Sequence, residues 1–145
     1  MNAPVSTLLA DKNPVIHSVP ISASVEDAVG LMNRHKMGSV VVMDGDRLVG
    51  IFTERDVLHR VMAAGLAPAS TPVSQVMTPD PKTITPEMTI QETLALISEK
   101  RCRHLPVMEG DRMIGLVSQG DITRWLVDAH RARAEQLMNY FTGGI

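Results

Sequence analysis

The sequence predicts a mixed α/β (α+β) fold made of two copies of one β-α-β-β-α unit. Three observations carry this. The stretch "VVMDGDRLVGIFTERDV" at residues 41–57 aligns without a gap on "PVMEGDRMIGLVSQGDI" at residues 106–122. An amphipathic helical stripe precedes each stretch in the same phase. A Gly-x-x-Thr/Ser-x-x-Asp junction closes each one, from Gly50 to Asp56 and from Gly115 to Asp121. Periodic self-similarity of this kind marks a duplicated structural unit.

Each element follows from local pattern. "HSVPI" (17–21) and "PKTIT" (81–85) read as short extended pieces. Ser24 opens a helix expected to run to about residue 35, with Val25, Ala28, Val29 and Met32 at the spacing of one buried face. Thr89 opens its counterpart to about residue 100, with Ile90, Thr93, Leu94 and Ile97 in the same phase. The apolar runs "SVVVM" and "HLPVM" each meet a turn, Asp44-Gly45-Asp46 or Glu109-Gly110-Asp111, and a second run follows, "RLVGIF" or "RMIGLV". Asp-Gly between apolar runs is a hairpin signal. A further helix is expected over 54–64, stopped at Gly65, and its counterpart over 119–141. Within "LAPASTPVSQVM" the last five residues suit a single helical turn. The resulting organisation is a first repeat at 15–66, a linker with a short helix at 67–78, a second repeat at 79–128, and a helical extension at 129–145.

Composition narrows the function classes. The 145 residues are 44% hydrophobic and 21% charged, enough for a core that must be aliphatic, since aromatic residues are 3%. A formal charge of −2 argues against nucleic-acid binding, which normally shows a basic surplus. Cys102 is the single cysteine, so no internal disulfide forms and a reducing compartment is expected. No apolar run reaches the roughly 18 residues of a membrane span, and the N-terminus has no basic n-region. A cytoplasmic location with no membrane association is expected. The histidines and Cys102 form no close ligand pair, so no metal site is expected. Neither a nucleophile–base pair nor a metal set is visible, and no enzymatic activity is expected. The methionines are expected mainly as core filling.

The chemistry concentrates at the strand–helix junctions. Thr53-x-x-Asp56 and Ser118-x-x-Asp121 have the spacing of a capping box, as do Ser24-x-x-Asp27 and Thr89-x-x-Glu92. The same geometry suits a nucleotide. A helix start attracts phosphate, a hydroxyl adds a donor, and an acid one turn into the helix can accept both ribose hydroxyls. Gly50 and Gly115 would let a ring or sugar approach the backbone.

The double unit, the strand "RHLPVME" and the paired junctions resemble a tandem pair of CBS domains, the family named after cystathionine β-synthase, over about residues 15–128. The resemblance implies a pseudo-twofold pair acting as a stand-alone regulatory module. Its two clefts would take an adenosine-containing ligand such as AMP, ADP, ATP, NAD or S-adenosylmethionine, which is a regulatory ligand rather than a catalytic cofactor. Asp56 and Asp121 would hold ribose, and Thr53 and Ser118 the phosphate side. The first cleft would join Thr53, Arg55 and Asp56 to Lys82, Thr83, Ile84, Thr85, Cys102, Arg103, His104 and Pro106. The second would join Ser118 and Asp121 to His17, Ser18, Val19, Pro20, Met37, Gly38 and Ser39. Arg55, Arg103 and His104 would make the first cleft the tighter one for phosphorylated ligands. The alternative is a ligand-independent interaction or structural module.

The last helix outruns the repeat. Ile122, Trp125, Leu126 and Ala129 form one apolar stripe that Leu137, Tyr140 and Phe141 extend. Burial of that end is expected against a second copy, giving a homodimer, with a regulated protein as a further partner.

Overall fold

The structure, a computed structural model, describes residues 2–12 and 15–141. In chain order the elements are α1 (Val5–Ala10), β1 (Ser18–Pro20), α2 (Val25–His35), β2 (Ser39–Asp44), β3 (Arg47–Thr53) and α3 (Glu54–Asp56), which continues as a π-helical segment, Val57–Met62. A 3-10 turn, Pro68–Ser70, then leads to α4 (Val73–Val76), β4 (Thr78–Pro79), α5 (Ile90–Lys100), β5 (His104–Glu109), β6 (Arg112–Ser118) and α6 (Gln119–Phe141). The β-α-β-β-α order holds in the first repeat.

The duplication persists down to single residues. Both hairpins turn through a glycine with positive φ, Gly45 at 61° and Gly110 at 64°. Both carry a register shift at the same place, Val42/Met43 and Val107/Met108. Helices α2 and α5 end on left-handed residues, Lys36 and Arg101, which closes the last turn without glycine. Ser24, Thr53 and Thr89 each form a complete capping box with the acid three residues on. Ser118 and Asp121 exchange the same two bonds, at 2.8 and 3.0 Å. Such a cap contributes about 1 kcal/mol.

The two repeats differ at their first strand. In the first, β1 runs parallel to β2, and the sheet order is β1-β2-β3-β4. In the second, the predicted strand at 81–85 shrinks to one bridge, Ile84 to Val107, beside a two-stranded β5-β6 sheet. Proline explains the loss. Val41 N donates to His17 O in the first repeat at 3.4 Å, but the equivalent of Val41 is Pro106, which has no N–H to give. The bonds that flank it, Ile84 N to Pro106 O and Met108 N to Ile84 O, both form.

Each repeat has its own aliphatic core, and each core borrows from a segment that precedes the other repeat. The first core gathers Val19, Val25, Ala28, Met32, Val40, Val42, Phe52 and Val61 around Val73 and Val76 of α4. The second gathers Ile84, Ile90, Ile97, Leu105, Val107, Val117 and Ile122 around Val5 and Leu8 of α1. Helix α1 lies outside the repeat limits expected from sequence, yet Val5 is fully buried. Methionine does less core filling than expected. Met32 is buried, whereas Met37, Met43, Met77, Met88, Met108 and Met113 are half-buried and Met62 and Met138 exposed. Along α6, Ile122 is buried and Trp125 and Leu126 half-buried, but Ala129 and Leu137 face solvent. The side chains of Tyr140 and Phe141 lie outside the described part of the structure.

Candidate functional site

One cleft of 1180 Å³ opens where the two junctions approach each other. The first repeat supplies Gly38, Ile51, Thr53, Glu54, Arg55, Asp56, Leu58 and Arg60. Thr78 comes from the connection, and the second repeat supplies Pro81, Lys82, Arg101, Cys102, Arg103, His104, Ser118, Gln119, Gly120, Thr123 and Arg124. Gly38 lies between the two repeats in this cleft. A β-carbon there would lie 3.1 Å from Glu54 Oε1 and 3.5 Å from His104 Nε2.

Asp56 anchors the first-repeat wall. The chain leaves β3 extended at Thr53 and enters α3 at once, which places the Asp56 side chain back over the junction. Its Oδ2 accepts Thr53 N at 3.0 Å and Thr53 Oγ1 at 3.3 Å, while Asp56 N donates to Thr53 Oγ1 at 3.3 Å. Oδ1 pairs with Arg60 Nε at 3.5 Å. Arg60 is held in place by two carbonyls, Val76 O at 3.2 Å and Met77 O at 3.0 Å. The capping role is therefore real, and it leaves Oδ1 with one cation at ion-pair range. The π-helical segment begins immediately after Asp56; such segments occur frequently at functional sites.

The cleft is cationic. Six basic side chains line it against two acids, Glu54 and Asp56. Arg55, Lys82, Arg101 and Arg103 form no ion pair or side-chain hydrogen bond among the described residues. Unpaired cations around a concave surface favour an anionic ligand. Burial holds His104 below its ordinary 6.5, against the pull of Asp121 and Glu54 in the other direction, so the imidazole is neutral at pH 7 and can donate or accept. Burial likewise pushes the Cys102 thiol up, with Lys82 and Lys100 opposing, which makes it a poor nucleophile.

The residues expected at the first cleft divide. Thr53, Arg55, Asp56, Lys82, Cys102, Arg103 and His104 come together here. Thr83, Ile84, Thr85 and Pro106 do not line the cleft. Ile84 is consumed by the second core, Pro106 is buried in β5, Thr83 lines a separate 790 Å³ depression with Asp44 and Asp46, and Thr85 is exposed elsewhere. Of the residues expected at the second cleft, Gly38 and Ser118 line the same opening as Asp56. Val19 and Ser39 are buried in the first repeat, Met37 packs against its core, His17 stacks on His35 at 4.0 Å, and Ser18 and Pro20 are exposed on β1. Asp121 is not part of the wall. Its Oδ2 takes Lys12 Nζ at 2.5 Å and its Oδ1 takes Arg124 Nη2 at 2.6 Å.

The junction glycines serve packing rather than ligand approach. Side-chain atoms of Met77 cover Gly50, and Leu9 covers Gly115. Arg60, Arg101 and Arg124 were not anticipated. Arg60 had a readable signal, four residues after Asp56 on one helical face. Arg101 had none, because its place depends on the left-handed end of α5. Among the described residues no group of three or more His, Cys, Asp or Glu is placed to hold a metal ion, and no described helix is long and apolar enough to cross a membrane.

Comparisons with known proteins agree with this architecture. A family model described as the CBS domain matches residues 5–63 and 73–128. The mitochondrial CBS domain-containing protein CBSX3 of Arabidopsis thaliana is 39% identical over 126 residues, which cover 83% of this chain and 61% of that protein. The chain thus spans less than two thirds of that relative's length. A solved protein with CBS domains from Burkholderia ambifaria MC40-6 superposes with a TM-score of 0.84 at 34% identity, covering 87% of this chain and 95% of that one. CBSX2, solved in complex with AMP, shares the fold with a TM-score of 0.73 at 24% identity, covering 88% and 98% of the two chains. With two family matches over most of its length and a duplicated architecture that coincides with them, the chain belongs to the CBS-domain family as a pair of CBS repeats.

Proposed function

We propose that this CBS pair is a regulatory module, acting as a homodimer, that senses a phosphorylated adenosine ligand in the cleft beside Asp56. The candidates are AMP, ADP, ATP and NAD, with S-adenosylmethionine as the cationic comparison. One observation carries the reading: a single cleft joins a ribose-competent carboxylate, the Thr53 hydroxyl at a helix start, and Arg55, Lys82, Arg101 and Arg103, which form no ion pair among the described residues. The carboxylate suits sugar hydroxyls, and the arginines suit phosphate through planar, charge-assisted hydrogen bonds. That CBSX2 has been solved with AMP makes an adenine nucleotide the first ligand to try. In this reading Cys102 and Ile51 flank the base, and His104 contributes a neutral hydrogen-bonding group.

Calorimetry with AMP and adenosine tests it. A charge-assisted hydrogen bond contributes about 1.5–3 kcal/mol, roughly ten- to a hundredfold in affinity. Arg103→Ala should weaken AMP by that factor while changing adenosine by less than about threefold. Loss of both ligands alike, or AMP binding unaltered by Arg103→Ala, removes the phosphate assignment. Failure of every candidate to raise the melting temperature removes the sensing function.

A further inference from the structure

The N-terminal segment is built like the connection between the repeats, but ends in the opposite charge. Both carry Pro-Val-Ser, at Pro4-Val5-Ser6 and at Pro72-Val73-Ser74. Both are pinned to a helix start by two backbone bonds. In the connection these are Val73 N to Ala23 O and Val25 N to Thr71 O, each 2.9 Å. In the N-terminal segment they are Val5 N to Met88 O at 2.7 Å and Ile90 N to Ala3 O at 2.8 Å. Counting on from the proline by the same number of residues (12 − 4 = 80 − 72 = 8), one segment offers Lys12 and the other Asp80.

Lys12 Nζ reaches across to Asp121 Oδ2 and also donates to the Leu116 carbonyl of β6. With Arg124 on Oδ1 and Ser118 N on Oδ2, both oxygens of Asp121 are taken. Asp56 receives no such residue; its cation is Arg60, at 3.5 Å, and it lines the open cleft. We propose that Lys12 makes the two binding motifs unequal: it seats the N-terminal segment on Asp121, closes that motif to ligand, and leaves the Asp56 motif as the one working site. The inference rests on the nucleotide reading above. A ribose hydroxyl would give the Asp121 carboxylate a hydrogen bond from a neutral donor, whereas Lys12 supplies a hydrogen bond together with a full opposite charge. A ligand at the second motif therefore has to displace a cation held at hydrogen-bond distance, whereas at the first it meets only Arg60, at 3.5 Å.

Calorimetry and hydrogen exchange on the full chain test the proposal together. Lys12→Met keeps the alkyl stem and removes the charge. The wild type should bind one AMP per chain. Lys12→Met should bind two, and adding Asp121→Asn should return it to one. Two AMP sites in the wild type, one of them lost in Asp121→Asn, overturn the proposal; so does a single site in Lys12→Met. If neither protein binds AMP, the nucleotide reading has failed, and exchange alone then decides the closure. Val5 N and Ser6 N donate to Met88 O and Pro86 O. Their exchange should rise about tenfold in Lys12→Met and in Asp121→Asn, and no further in the double variant, as expected when both changes remove one charge-assisted bond. Rates equal to wild type overturn the closure.

Discussion

Leu9 stands directly over Gly115: its Cδ2 lies 2.7 Å from the point that a β-carbon on that glycine would occupy. The contact ties α1, near the start of the chain, to β6, and Met77 covers Gly50 in the same manner in the first repeat. A glycine that reads as a ligand approach in sequence is here the floor under a packed side chain.

Gly115→Ala should therefore destabilise the protein by about 1–3 kcal/mol through overpacking. Leu9→Ala, made in the same chain, should recover most of that loss, because it vacates the space the new methyl needs. Chemical denaturation of the two single variants and the double variant measures the coupling. Strict additivity would mean that Leu9 is not the obstacle.

Helix α1 should be structurally required even though it precedes the first predicted strand. Leu8 is 3% exposed and belongs to the second core, so Leu8→Ala should cost about 2–5 kcal/mol. A shift in urea midpoint at unchanged slope is the expected signature. A change below about 0.5 kcal/mol would show that the segment detaches freely.

Acid should destabilise the fold in two stages. Burial holds His104 below 6.5, and burial with the neighbouring His35 does the same for His17. An unfolded chain then takes up protons that the folded chain resists, so stability is full above about pH 6.5 and is lost as pH falls through the folded values. Burial raises the Asp121 carboxyl, but the Lys12 and Ser118 hydrogen bonds and the Lys12 charge outweigh it and leave it below 3.8. Its contribution is complete above that value and disappears at lower pH. Melting temperatures from pH 8 to pH 3 should show both declines, with His104→Gln flattening the first and Asp121→Asn the second. A profile that Asp121→Asn leaves unchanged below pH 4 would contradict the Lys12 pairing.

Association should depend on the end of α6. Val127 is 49% exposed, Leu137 53% and Met138 64%, and apolar side chains repeated along one helix are commonly covered by a partner. Light scattering at micromolar concentration should report a dimer, and removal of the residues after Arg131 should shift it toward monomer. A monomeric full-length chain would end the homodimer reading.

The helices of the two repeats, the hairpins and the capping boxes were legible in the sequence, unlike α1, because each is decided by residues within a few positions of one another. Ser24, Thr53 and Thr89 announce their caps three residues ahead, and Gly45 and Gly110 sit where the turn demands positive φ. Duplication made these signals stronger, since every local pattern occurred twice. The loss of a strand at 81–85 was also written in the sequence, in Pro106, but it could be read only once the pairing partner was known.

Arg55 against Gly120 marked the first motif as the more basic in sequence, but the pairing of Lys12 with Asp121 had no local signature. By residue type, Thr53-x-x-Asp56 and Ser118-x-x-Asp121 are equivalent, and both form the same cap. What separates them is a lysine that comes to Asp121 across 109 positions of chain, and four arginine and lysine side chains that assemble from both repeats around Asp56. Short-range pattern specifies which backbone conformations form, because hydrogen-bond satisfaction and side-chain period act over one or two turns. Which cations reach each carboxylate, and which carboxylate lines a cleft, depends on where distant charges come to rest, and the packing of α1 and α4 against the cores contributes to that.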